Sequence, residues 1–440
     1  MLKTLKNAWG IEELRKKILF TLFIILVYRL GNAVPVPYVN TAMLESYFNT
    51  VNNTILGLWN TMSGGSFSMA TIFALSIQPY INASIIIQLL CIAIPALERL
   101  SKEGGEEGKK KIQKITRYTT IGLGLLMGFA YYVMLKNYSL LSETGFIYGL
   151  VIILSFTAGA SFLMWMGEQI DEFGIGNGIS IIIFAGIVAG LPAAVSGLFQ
   201  LVSTGAIGPL SAIFIIAIVM LVTAFVVFIE RGQRRITVNY AKRQVGNRIY
   251  GGQSSYLPLK INMANVIPPI FASSLILFPA TLASWFTSGD STRWIRDLAA
   301  SLSPGQPLYT LLYAALIVFF AYFYTALVFN PKETAENLKK SGAFVPGIRP
   351  GEQTSRYIDK VLLRLTLAGS IYLVFVCLVP EFLNLRFNVP FYFGGTSLLI
   401  VVVVTMDFMS QVQAYLMSHQ YESLLKKTNF RGFGPGSLPR

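Results

Sequence analysis

Ten apolar stretches, each about as long as a bilayer crossing, are separated by connections that are alternately basic and nearly uncharged. No other feature restricts this chain as much. The stretches fall at roughly 18–36, 72–95, 116–135, 147–167, 179–200, 211–230, 264–286, 308–329, 358–380 and 391–413, and about 20 apolar residues suffice to cross the hydrocarbon layer as a helix. Of the 440 residues, 54% are hydrophobic and 13% charged, about half the charge fraction of a soluble domain. An all-α polytopic membrane fold of ten transmembrane helices is expected.

The basic residues orient it. Five Lys or Arg precede the first stretch, seven lie between Arg99 and Arg117, seven between Arg231 and Lys260, seven between Lys332 and Arg364, and four from Lys426 onward. These are 30 of 35, and they alternate with connections that are almost free of them, as the preference of Lys and Arg for the cytoplasmic side requires. Both termini are therefore expected in the cytoplasm. Met1 to Lys17 is polar and basic, without the pattern of a cleaved signal peptide.

Phe73 to Leu90 (FALSIQPYINASIIIQLL) reads as a membrane helix whose hydrogen-bond ladder Pro79 breaks near the outer end, with Asn82, Ser84 and Gln88 following at helical spacing. Such groups are tolerated at bilayer depth where they meet protein or a water-filled cavity, so this helix is expected to line something other than lipid. The segment before it, Gly31 to Ser68, has no Lys or Arg and ends in WNTMSGGSFSM. It is either an ordinary outer loop or a piece folded back into the membrane, where Gly64 and Gly65 give freedom to turn and small residues permit close packing.

The glycine-rich GEQIDEFGIGNGIS, Gly167 to Ser180, lacks the spacing of a phosphate-binding loop and is expected to be a turn capping the fifth span. The uncharged Gly197–Ser211 stretch is a natural hinge between halves 1–200 and 201–440. Two cytoplasmic loops, about 231–262 and 330–357, exceed what topology requires. In the first, Ile236, Val238 and Tyr240 alternate with polar residues, and Tyr250 to Leu259 returns as a second strand. In the second, Pro331 to Lys340 suggests a short helix and AFVPGIRPGEQT a stiffened tip presenting Arg349. Both are read as docking surfaces.

Little is available for catalysis. His419 is the sole histidine and lies beyond the last span, and Cys91 and Cys377 sit in apolar stretches. No catalytic residue, metal site or cofactor is expected. A secondary transporter is the competing class, but midspan ionisable groups, the usual mark of ion coupling, are scarce.

The blocks FALSIQPYINASIIIQLL, GEQIDEFGIGNGISIIIFAGIVAGLP, ERGQRRITVNYAKRQ, YLPLKINMANVIPPIFASS, NPKETAENLKKSGAFVPGIRPGEQT and VPFYFGGTSLLIVVVV together resemble the bacterial SecY family, the channel subunits of the protein-conducting translocon. The resemblance runs over nearly the whole chain and is weakest in Thr41–Thr61, Ser288–Ser303 and after Thr428. It implies two pseudo-symmetric halves of five helices around an hourglass pore. The channel would pass unfolded secretory proteins across the bacterial plasma membrane and release signal sequences and transmembrane segments sideways into lipid.

The same resemblance assigns roles to particular residues. Ile77, Ile81, Ile179, Ile183, Ile270 and Ile400 would form the pore ring, and the spacing of Ile77/Ile81 and Ile179/Ile183 puts each pair on one helix face. Gly64, Gly65, Ser66 and Phe67, within Asn60–Thr71, would belong to the plug. Asn82, Gln88, Ser273 and Phe278 would border the lateral gate between the second and seventh helices. Arg234, Arg235, Arg248 and Arg349 would dock the motor ATPase SecA or the ribosome. SecE and SecG are the implied membrane partners. The chain departs from the family pattern at Asn247, where a second basic residue is common, and at Gln78, where a bulky apolar one is.

Overall fold

The computed structural model describes residues 8–51, 60, 63–102, 104–143, 145–205, 208–240, 243–245, 248–250, 254–285, 301–302, 306–387 and 395–427. The first part of the chain forms α1 (Glu12–Gly31), α2 (Thr41–Val51), α3 (Gln78–Ala93), α4 (Pro95–Lys102), α5 (Gly105–Asn137), α6 (Phe146–Phe173) and α7 (Gly178–Ser203). There follow α8 (Pro209–Glu230), the strands β1 (Gln233–Tyr240), β2 (Arg243–Val245), β3 (Arg248–Tyr250) and β4 (Ser254–Lys260), and then α9 (Ile267–Trp285). The chain continues with α10 (Pro307–Val328), α11 (Pro331–Lys340), β5 (Ala343–Phe344), α12 (Glu352–Phe387) and α13 (Gly395–Lys427).

Every expected apolar stretch contains a helix. Among the described residues, seven helices are long and apolar enough to cross a membrane (α5, α6, α7, α8, α10, α12 and α13), while α3 and Ile267–Leu277 of α9 are shorter apolar helices. In α1 the apolar run starts only at Ile18, after Glu12, Glu13 and three basic residues. On α8, Leu210, Ile213, Met220, Leu221 and Phe228 are all exposed, an outward apolar face suited to lipid.

The expected helix at Phe73–Leu90 is corrected at its start. Residues 73–77 form turns, with Ser76 at φ +51, and α3 begins at Gln78. Pro79 stands in the first helical turn rather than interrupting a helix. Its missing N–H has no partner to lose there and its fixed φ favours the start, so proline initiates α3.

Two groups of helices share a core. α3 packs on α5 and α6, α6 on α7, and α1 on both α6 and α7; α9 packs on α10, α10 on α12, α12 on α13, and α13 on α8. The groups meet where α9 touches α3 and α5, and where α7 touches α13 and α8. Buried side chains from both groups make one large cluster that includes Tyr28, Phe73, Met166, Val226, Phe271, Tyr313 and Leu399.

The two basic loops fold into one body. β1 pairs antiparallel with β4, from Gln233 opposite Lys260 to Asn239 opposite Ser254. β5, from the second loop, adds to the other edge of β1 at Asn239 and Tyr240. Ile236, Val238 and Leu259 bury one face of this sheet against Ala343, Val345, Ile358 and Leu362. The returning strand starts at Ser254 rather than at Tyr250, because Tyr250 closes a separate small β2–β3 ladder with Arg243.

Candidate functional site

The six isoleucines expected in the ring come from four helices and meet in one apolar cluster. Ile77 is the N-cap of α3, and its carbonyl accepts the Ile81 N–H at 3.1 Å, which sets the two side chains one turn apart. Ile179 and Ile183 occupy the same relation on α7, whose start is capped by Asn177 accepting from the Ser180 N–H at 3.0 Å. Ile270 lies in the first turns of α9 and Ile400 in those of α13. Ile77, Ile81, Ile183, Ile270 and Ile400 are buried within the cluster, and half-buried Ile179 packs against it. Side chains of this kind give water nothing to bond to.

Beside this cluster lies the segment that the sequence left open between an outer loop and a folded-back piece. It is folded in. Ser63, Ser66, Phe67, Ala70 and Thr71 are buried, and the turn is held by its own backbone: Gly65 N–H to Asn60 O at 2.9 Å and Thr71 N–H to Ser66 O at 3.1 Å. Asn60 Oδ1 accepts the Ser68 N–H at 2.9 Å. Gly64 has φ +68, and a Cβ there would lie 2.9 Å from the Gly186 Cα of α7, so glycine is required both by backbone conformation and by close approach.

Residues that sequence reasoning did not single out anchor this segment. The Tyr131 hydroxyl of α5 donates to the Phe67 carbonyl at 2.6 Å, and the two rings stack at 4.5 Å. Tyr28 of α1 donates to the Ser63 carbonyl at 3.4 Å. Phe48 of α2 meets Phe67 edge-on at 5.3 Å. A buried tyrosine pairing its hydroxyl is ordinary core chemistry, so only the tertiary contact distinguishes Tyr131 and Tyr28 from other aromatic residues.

The seam between α3 and α9 is polar next to the isoleucines. Gln78 Nε2 donates to Ser274 Oγ at 2.8 Å across a buried contact. Ser273 turns back to the Ile270 carbonyl at 2.9 Å, and Gln88 donates to Ser84 at 3.2 Å within α3. Asn82 is buried on the same helix face as Gln78, one turn on, and its Nδ2 has no hydrogen-bond partner among the described residues. Ser273 and Gln88 thus bond within their own helices, and the bond across the seam belongs to Gln78 and Ser274. The Phe278 side chain lies outside the described residues.

On the body formed by the two basic loops, Arg234 and Arg235 are exposed on β1, and Arg349 lies in the tip between Gly347 and Gly351. Gly347 and Gly351 take φ +80 and +106, and Thr354 Oγ1 donates to the Arg349 carbonyl at 2.8 Å. The pairing of β5 with β1 at Asn239 and Tyr240 ties the loop that carries Arg349 to the sheet that carries Arg234 and Arg235. The Arg248 side chain lies outside the described residues, as does Asn247. No group of three or more His, Cys, Asp or Glu suited to a metal occurs among the described residues.

A sequence model of the SecY family matches residues 71–409. The chain belongs to the SecY family. It is 55% identical over 429 residues to the protein translocase subunit SecY of Escherichia coli K12, with 97% of each chain covered. It is 54% identical over 437 residues to that of Pseudomonas aeruginosa, covering 99% of this chain and 98% of the other. Two solved structures share the fold. One, described as that of a protein-conducting channel, aligns with a TM-score of 0.66 at 18% identity over 95% of both chains. Sec61 in the canine ribosome–channel complex aligns with a TM-score of 0.62 at 17% identity, again over 95% of both. As a SecY-family protein the chain is an all-α polytopic membrane protein and a protein-conducting translocation channel subunit rather than an enzyme.

Proposed function

We propose that the apolar cluster at Ile77, Ile81, Ile179, Ile183, Ile270 and Ile400 is the closed waist of the pore, between halves 1–200 and 201–440. In this reading the folded-in segment 60–71, with Gly64, Gly65, Ser66 and Phe67, is the plug. α3 and α9 form the lateral gate, bordered by Asn82, Gln88, Ser273 and Phe278. The convergence of six isoleucines from both helix groups in a single core carries the reading. A waist that is greasy when shut excludes water and ions, while it offers an unfolded chain only non-directional contact as it passes.

The cytoplasmic sheet, with Arg234, Arg235, Arg248 and Arg349, docks SecA or a translating ribosome, whose RNA phosphates would pair with arginine forks. SecE and SecG complete the assembly in the bacterial plasma membrane, and no cofactor takes part. The test is SecA-driven, ATP-dependent translocation of a secretory precursor into vesicles containing the assembled complex, comparing the parent with Arg349→Glu. Loss of transport with intact assembly supports the docking assignment. Unimpaired transport removes it, and a parent that moves nothing with all partners present removes the drive by SecA.

A further inference from the structure

The base of the β1–β4 hairpin is closed by a buried bond that no role assigned so far employs. Glu230 ends α8 and is 8% exposed, and Asn262, between the end of β4 and the start of α9, is 3% exposed. Asn262 Nδ2 donates to Glu230 Oε1 at 2.7 Å and also to the Asn265 carbonyl at 2.9 Å. The Tyr372 hydroxyl of α12 donates to the same carboxylate oxygen at 3.3 Å. On the hairpin side of this pair the Ile261 N–H bonds the Gly232 carbonyl at 3.1 Å, which closes the stem. On the other side Asn265, at φ +52, turns the chain into α9 and donates to Asp407 of α13 at 3.4 Å. A Cβ on Gly369 would lie 2.8 Å from the Ile261 carbonyl, so α12 approaches the same elbow at backbone distance.

The sheet therefore does not sit on a loose stalk. Its two strands leave the bundle through a junction whose sides are bonded to each other, and one side leads within a few residues into α9. We infer that the Glu230–Asn262 pair is a rigid joint that transmits a push on the cytoplasmic sheet to α9. The inference rests on the proposed docking and gate assignments. Without the pair, the elbow at 261–266 would bend and absorb the displacement.

The test uses the full chain in vesicles, with Cys91→Ala and Cys377→Ala, and with Gln78→Cys and Ser274→Cys placing a cysteine on each side of the seam. Ribosomes carrying a nascent secretory segment are added, and both their affinity and the rate of oxidative cross-linking are measured. In this parent, docking slows cross-linking about tenfold as the seam parts. In alkaline buffer, where two carboxyls at this junction cannot share a proton and repel, adding Asn262→Asp leaves ribosome affinity within about twofold but abolishes the slowing. Adding Glu230→Gln to Asn262→Asp restores the slowing in part, since a glutamine amide at 230 donates to the carboxylate at 262 while the Asn265 carbonyl keeps no donor there. A general folding defect would not be repaired by this exchange. If Asn262→Asp slows as the parent does, or if the exchange fails to rescue it, the joint is overturned while docking and gate stand. If docking leaves the parent's rate unchanged, the joint falls together with the docking and gate assignments.

Discussion

Breaking the Gln78–Ser274 bond tests the seam with an asymmetry that can be worked out in advance. The bond is 2.8 Å long and buried, and a neutral hydrogen bond of this kind contributes about 0.5–1.5 kcal/mol net. Gln78→Leu removes the amide and leaves the Ser274 hydroxyl, which can turn to the carbonyl one helical turn back. The closed form then loses about 1 kcal/mol, roughly a fivefold shift toward open. Ser274→Ala instead leaves a buried amide without its partner, which costs about 1–3 kcal/mol, or about five- to 150-fold. Ser274→Ala is therefore expected to leak more than Gln78→Leu, and the double variant to resemble Gln78→Leu alone. Ion conductance of the purified channel in planar bilayers, at equal amounts of inserted protein, measures this order. Equal leakage from the two single variants, or a double variant that adds their effects, would refute the assignment of a bonded pair.

The folded-in segment gives two further outcomes. Tyr131→Phe removes the 2.6 Å bond to the Phe67 carbonyl but keeps the stacked ring, so ion conductance should rise by about five- to tenfold, corresponding to about 1–1.4 kcal/mol, with little change in assembly. Gly64→Ala places a Cβ 2.9 Å from the Gly186 backbone at φ +68; at least about 1–2 kcal/mol of left-handed strain should unseat the segment, read as faster proteolytic cleavage near residue 64.

Much of the architecture was legible because membrane insertion imposes a coarse code. The ten apolar stretches and the alternating basic connections follow from bilayer thickness and charge placement, and the helices stand where those stretches are. The alternation at Ile236 and Val238 likewise announced a strand with one buried face. Pro79 was legible as a disruption, but not as a beginning: whether proline interrupts or initiates a helix depends on whether the residues before it find other partners. Here the Val36 N–H bonds the Ala70 carbonyl and the Ile72 N–H bonds the Val34 carbonyl, tying residues 70–72 to the outer segment.

The order of amino acids was enough for the apolar spans, the expected orientation, the basic loops and, through family resemblance, the choice of isoleucines to propose for the ring. Those features depend on composition within one segment or on motifs that can be compared directly. Tertiary structure decided that β5 joins the hairpin, that Tyr131 anchors Phe67, that Gln78 reaches Ser274, and that Asn262 braces Glu230. Each of these is a pairing between distant residues of common type, and hydrogen-bond partners are selected by distance and burial, which no local pattern of side chains encodes.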